Sequence, residues 1–167
     1  VAIGIRYENG SMIQAVTRGD GVQGDDVTAN VRTIRSVPLK LKTNSFPNEF
    51  EIRGEIFLPR NVFDAINKEK EEAGEALLAN PRNSAAGTLK MQDSAVVASR
   101  KLDAFMYFVL GDNLQFKTHF ESLDAARQWG FKVPEYSKLV KGMDGIRKLI
   151  EKCNKERFDL GFDIAGV

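Results

Sequence analysis

Cysteine and histidine are nearly missing from this sequence: Cys153 and His119 are the only ones. A single cysteine excludes an internal disulfide and any cysteine-cluster zinc site, and it fits a reducing compartment. No apolar run approaches membrane-spanning length, and the chain shows no secretory signal pattern. No charge of one sign dominates. The formal net charge is +1, so a contact with nucleic acid must come from a local patch and not from the field of the whole molecule. P-loop, paired-histidine and Gly-x-Ser-x-Gly patterns are missing, as are repeats and low-complexity segments. What is present is ordinary for one globular domain or most of one: 167 residues, 43% hydrophobic and 28% charged, enough to bury a real core.

The first half reads mainly as strands. Val1–Tyr7 and Met12–Thr17 form a hairpin around Glu8-Asn9-Gly10, because Asn-Gly is the strongest short hairpin signal. Phe50–Arg53 and Glu55–Leu58 alternate and are interrupted by Gly54, which predicts a bulge or a close backbone approach. Val31–Leu41 reads as irregular or a short strand, since Pro38 bars a central ladder position. Pro59 opens a helix carrying Val62, Phe63 and Ile66 and a solvated run from Lys68 to Glu72, ended by Gly74. Asn80-Pro81 caps the next helix, whose Ser84-Ala85-Ala86-Gly87 stretch is unusually small-sided. Leu102–Leu110 is dense enough to be a buried strand. Ser122–Trp129 is a helix closed by Gly130. The last helix runs from Asp144 to Arg157, with Ile146, Leu149, Ile150 and Cys153 on one face. Strands interleaved with three or four helices make the fold class α+β, with largely antiparallel sheets. The chain starts at Val1 inside a predicted strand and stops at Gly166-Val167 where another seems to begin. It is therefore expected to be a single domain over 1–167, truncated at both ends.

Several residues stand out for chemistry. Thr17-Arg18-Gly19-Asp20-Gly21 delivers a cation from a strand end into a loop with glycines at 19, 21 and 24. Glycine allows close backbone approach, and arginine suits bidentate phosphate contact. The glycine spacing does not fit the dinucleotide-fold fingerprint. Glu51, Arg53 and Glu55 share one strand face, either exposed or the floor of a polar cleft, with Ile52 and Ile56 turned to the core. Arg82 lies in a first helical turn, where free amides favour anions, and Lys90 follows two turns on. Tyr107 reads by default as a core tyrosine, with stacking on a base as the alternative. His119 is read as a surface or capping residue, and Cys153 as core-facing.

These pieces, in this order, resemble the adenylation domain of bacterial NAD⁺-dependent DNA ligases. The matching stretches are TRGDGVQGDDVTANVRTI (17–34), EIRGEIFLP (51–59), ANPRNSAAGTLKMQD (79–93), FMYFV (105–109) and LGFDIAGV (160–167), so the resemblance covers essentially the whole chain. It implies a nucleotidyltransferase core of mainly antiparallel sheets with flanking helices, in a cytoplasmic bacterial enzyme. It also implies nick sealing through a lysyl-AMP formed from NAD⁺, with Mg²⁺ neutralising charge on the transferring phosphates. The partners implied are nicked duplex DNA, NAD⁺ and the remaining ligase domains, with no membrane.

By position, the resemblance assigns Arg18 to the bound nucleotide, Glu55 to the ribose, and Tyr107 to adenine stacking. Arg82, Lys90 and Arg157 match basic positions implicated in phosphate contacts, either of NAD⁺ or of the nick. The family often has arginine where Lys90 stands; lysine keeps the charge and loses the planar fork. No Lys-x-Asp-Gly occurs in these residues, and the nucleophilic lysine is expected upstream of Val1, so no catalytic residue and no metal ligand is assigned. Ala165 stands where the family usually has aspartate, and alanine cannot accept a hydrogen bond or support a metal. The alternative reading is a degenerate nucleotidyltransferase module that binds nucleotide or DNA without ligase chemistry.

Overall fold

A computed structural model describes residues 1–19 and 23–164. The opening hairpin forms as its sequence requires: β1 (Ala2–Glu8) and β2 (Ser11–Thr17) are joined by Asn9 and Gly10. Both have positive φ, 47° and 75°, as a two-residue I′ turn needs. β3 (Glu49–Phe57) and β4 (Asp103–Leu110) complete an antiparallel sheet in the order β2-β1-β3-β4. Alternation sorts its two faces. Ile3, Ile5, Tyr7, Ile52, Ile56, Ala104 and Met106 are buried on one. The other carries Arg6, Glu51, Arg53 and Glu55 and is left open.

Two register shifts break the alternation. Arg6 pairs with Gln14 but Tyr7 with Met12, which leaves Ile13 as an extra residue. Arg53 pairs with Phe108 but Gly54 with Met106, which leaves Tyr107 extra. The bulge at Gly54 is also a close approach: a Cβ there would lie 2.3 Å from the Phe105 carbonyl oxygen and 2.5 Å from the Met106 sulfur.

Among the described residues six helices accompany the sheet: α1 (Thr28–Val31), α2 (Arg60–Glu72), α3 (Pro81–Leu89), α4 (Ser94–Ser99), α5 (His119–Trp129) and α6 (Gly142–Glu156). This is the α+β arrangement, with one antiparallel sheet. Val31, Leu89, Val97 and Leu123 bring α1, α3, α4 and α5 into the core, and α2 leans on it through Val62, Phe63 and Ile66. Local chemistry sets the helix ends. The Asn80 side chain accepts from the Asn83 amide at 2.8 Å, that of Thr118 from Glu121 at 3.2 Å, and Gly130 ends α5 at φ 105°.

Irregular segments are tied down by buried aromatics. Tyr7 stacks on Phe50 at 5.2 Å, which meets Trp129 at 4.8 Å. The Tyr7 hydroxyl donates to the Pro38 carbonyl, and the Trp129 indole donates to the Ser45 carbonyl at 2.8 Å. Burial pushes the Tyr7 phenol far above its usual pKa.

Both edge strands are occupied. Along β2, the amide of Met12 donates to Leu39 (3.0 Å), that of Thr17 to Asp25 (3.0 Å), and that of Val27 to Ala15 (2.9 Å). Along β4, the Met106 amide donates to Lys132 at 2.8 Å.

Of the two readings of residues 31–41 the irregular one is found: α1 ends at Val31, turns follow, and only Lys40 bridges to Ser11. Three other expectations change. α4 was not anticipated; Asp93 caps it by accepting from the Ala95 amide at 2.8 Å. β4 is not a fully buried strand: Tyr107 and Phe108 are 43% and 42% exposed, Tyr107 by alternation with the buried Met106, and Phe108 because the bulge leaves it on the same side. Tyr107 is therefore not a core residue. In α6 only Cys153 is buried, and Ile146 and Ile150 remain exposed. The anticipated strand at Gly166-Val167 lies outside the described residues.

Two glycines separate backbone need from backbone freedom. Gly54→Ala forces a methyl into β4 and is expected to cost about 1–3 kcal/mol or more. Gly87→Ala, inside α3 with nothing within 4 Å, is expected to stabilise by roughly 0.5–1 kcal/mol. Urea unfolding of the two variants checks the opposite signs.

Candidate nucleotide site

One end of the open face gathers most of the singled-out residues. The Arg18 amide, just past β2, donates to the Ala2 carbonyl at 3.3 Å. Ala2 pairs with Glu55, and Glu55 with Phe105. A line across the sheet therefore runs from Arg18 through Glu55 to β4, and Tyr107 stands two residues further along β4. The Glu55 carboxylate is exposed and accepts from the α-amino group of Val1 at 2.6 Å. Beside it, Gly4 leaves β1 bare, so the Glu51 carboxylate reaches to 3.1 Å from where a Cβ would stand. Glu51 is itself held by the Arg53 guanidinium at 2.7 Å.

Aromatic rings close this end, a feature the sequence reading missed. Phe57 stacks on Phe105 at 5.1 Å, and Phe162 meets them at 5.4 and 5.0 Å. The signal was available: Phe57 and Phe105 fall at open-face positions of the alternation. Phe162 belongs to the segment after α6, which is clipped down at several points. The Arg60 amide donates to Gly161 at 2.9 Å, and the Arg60 guanidinium pairs with Asp163. Arg157 donates to the Ile164 carbonyl at 2.9 Å and lies 5.6 Å from the Phe158 ring. Arg157 thus holds this segment at the edge of the site.

The other two cations sit on α3. Arg82 is exposed in its first turn, and Lys90 follows its last residue. Eight residues along a helix separate them by about 12 Å. Between them Ala86 is half-buried and Gly87 exposed, so the small-sided stretch offers a shallow surface flanked by positive charge. Lys90 pairs with Asp25 at 2.6 Å. The expected group is therefore split. Arg18, Glu55 and Tyr107 share the open face, Arg157 borders it, and Arg82 with Lys90 forms a second positive strip. His119 opens α5 and is exposed, 5.5 Å from the Phe108 ring. Asp20, Gly21 and Ala165 lie outside the described residues.

Among the described residues no three His, Cys, Asp or Glu side chains converge as a metal cage. Two carboxyls near these residues are shifted. Hydrogen bonds from the Thr28 hydroxyl and amide and from Gln14 hold Asp26 below the usual carboxylate range. Asp103, beside Phe105, is opposed by burial, yet hydrogen bonds from Lys132, Ser36 and the Ala104 amide win and lower its pKa. Lys132 also lies 4.8 Å from the Phe105 ring, which ties this ion pair to the aromatic end of the site.

The family model for the NAD-dependent DNA ligase adenylation domain matches residues 1–167. The chain belongs to this family. It is 53% identical over 166 residues to a DNA ligase of Parabacteroides distasonis, covering 99% of the chain and 25% of that protein. A DNA ligase of Cytophaga hutchinsonii is 52% identical over 167 residues, covering 100% of the chain and 25% of the relative. One of Flavobacterium psychrophilum is 52% identical over 166 residues, with 99% and 25% covered. The chain thus spans about a quarter of the length of the curated relatives it matches. Among the described residues no helix is long and apolar enough to cross a membrane.

The lowered Asp103 pKa has a signed consequence. Between the folded pKa and the unfolded value of about 3.9, the unfolded chain carries the proton and the folded one does not. Stability therefore rises with pH through that window. The contribution is complete above pH ~4 and lost as pH falls through the folded pKa. Asp103→Asn is expected to lower the urea midpoint at pH 7 and to flatten its fall between pH 5 and 3. An unchanged pH slope in the variant would remove Asp103 from this role.

Proposed function

We propose that this chain is the nucleotide-holding part of an NAD⁺-dependent DNA ligase, a bacterial cytoplasmic enzyme that seals nicks in duplex DNA through a lysyl-AMP. We further propose that its sheet and helices form part of a nucleotidyltransferase core. The observation that carries this reading is the open sheet face, where a cation, a carboxylate and an exposed tyrosine share one end. Tyr107 offers a flat ring to adenine, since aromatic faces stack on any base. The exposed Glu55 carboxylate accepts hydrogen bonds from a ribose hydroxyl. Arg18 meets the phosphate with a bidentate guanidinium beside glycine backbone. Arg157 orders the segment that closes the aromatic end and adds positive charge there.

When bound, NAD⁺ supplies the adenylyl group, and Mg²⁺ shields phosphate charge. The protein's part is to grip the base, ribose and phosphate so that the reacting phosphorus is fixed in place. Arg82 and Lys90, about 12 Å apart on α3, are read as contacts to phosphates of nicked DNA. The degenerate-module reading is not favoured, because named DNA ligases match the whole chain at about half identity.

In the full-length protein carrying these residues, Arg18→Ala should weaken nucleotide capture by about 1.5–3 kcal/mol, the range for a charged hydrogen bond. Tyr107→Ala should lose about 1–3 kcal/mol of stacking. Unchanged adenylation kinetics in either variant would count against its assignment.

The 167-residue chain contains no Lys-x-Asp-Gly. Incubated with NAD⁺ labelled in its adenylate and then denatured at neutral or alkaline pH, it should retain no label. Label on the chain that survives alkali and is released by acid, as a lysine–phosphorus bond would be, would sink that expectation.

A further inference from the structure

The loop that bears Arg18 is tied off at its base by Thr17 and Asp25. The Thr17 amide donates to the Asp25 carbonyl at 3.0 Å, and the Asp25 amide donates to the Thr17 hydroxyl at 2.9 Å. The glycines inside the tie are compulsory. A Cβ on Gly24 would stand 1.9 Å from the Thr17 carbonyl oxygen, and one on Gly19 1.6 Å from that of Gln23. Among the described residues, the Asp25 backbone and the Thr17 hydroxyl make this tie, and the Asp25 carboxylate is not used in it.

That carboxylate reaches Lys90. Its oxygen lies 2.6 Å from the Lys90 nitrogen. The adjacent Asp26 is committed elsewhere: it accepts from the Thr28 amide (2.9 Å), the Thr28 hydroxyl (2.6 Å) and Gln14 (3.2 Å). The other platform is equally firm. The buried Asn30 side chain donates to the carbonyls of Leu89 at 2.8 Å and Met91 at 2.7 Å, which pins the backbone on either side of Lys90. Asp25 and Lys90, in contact with each other, line one cavity with Val27, Asn30, Leu89 and Met91. Their meeting is set by two anchored backbones, although both side chains are more than half exposed, 57% and 58%.

An exposed ion pair of this kind contributes little to stability and exchanges readily. A nucleic-acid phosphate offers the same lysine a stronger anion. We propose that Asp25 is an internal stand-in for a DNA phosphate: it keeps Lys90 extended beside the Arg18 loop and gives it up when a backbone phosphate arrives. Asp25 is thus a positioning residue whose side chain competes with DNA. This rests on the reading of Lys90 as a phosphate contact.

The test is fluorescence anisotropy with a nicked duplex oligonucleotide at several salt concentrations, using the full-length protein carrying this domain. Lys90→Ala should weaken binding and reduce the salt slope by about one. Asp25→Asn keeps the backbone tie, and Asp25→Ser is too short to reach Lys90. Each should tighten binding about two- to fivefold at low salt, the worth of an exposed pair, and neither should do so in a Lys90→Ala background. If Lys90→Ala weakens binding but both Asp25 variants bind equally or more weakly than the parent, Asp25 is no stand-in. If Lys90→Ala changes neither affinity nor slope, the phosphate reading of Lys90 fails and the proposal with it.

Discussion

The contact between Gly54 and β4 governs the character of the open face. With the Phe105 carbonyl 2.3 Å from a would-be Cβ, β3 and β4 approach so closely that only glycine fits. The chain absorbs the misfit by placing Tyr107 opposite nothing. A bulge turns consecutive residues toward one side and sharpens the local twist. Without it, strict alternation after Met106 would turn Phe108 inward and Val109 outward. The sheet would then lose a buried valine and gain an aromatic where the core has no room. One missing methyl group thus decides whether Phe108 joins Tyr107 on the side of the charged row of β3.

The long irregular segments follow a related logic. Loops 32–48 and 23–27 carry many backbone polar groups that must be satisfied near a dry core. Side chains rooted in regular elements do this. Tyr7 reaches Pro38, Trp129 reaches Ser45, and Asn30 holds two carbonyls after α3. Each is buried, so its hydrogen bond is exchanged with water at a cost and the loop is held in one place. The positions of Arg18 and Lys90 depend on such ties more than on the strands and helices themselves.

What was legible in the sequence was legible for local reasons. Asn9-Gly10 dictates its turn, Asn80-Pro81 its cap and Gly130 its helix end, because each acts through its own backbone. The break at Gly54 could be read for the same reason, and family resemblance brought Arg18, Glu55 and Tyr107 forward. The outward turn of Phe108 beside Tyr107 could not be read, since DAFMYFVL is largely apolar on both faces and its bulge is imposed by the neighbouring strand. α4 was hidden by its brevity. In residues 31–41 the proline argument was sound, yet the segment's path is set by the distant Tyr7. The pairing of Lys90 with Asp25 joins residues far apart in sequence, which only the fold brings together. The unspent face of α6 shows the converse: its periodicity was plain, but periodicity does not say what packs against it.

The hydrogen bonds along the outer sides of β2 and β4 carry a meaning for association. An unpaired edge is a template for another strand and a route to sheet extension or aggregation. Here β2 is engaged by the segments around Leu39, Asp25 and Val27, and β4 by Lys132. The sheet is therefore finished sideways along these stretches and cannot recruit a further strand there without breaking bonds it already has. A strand that joins this sheet must do so outside these stretches.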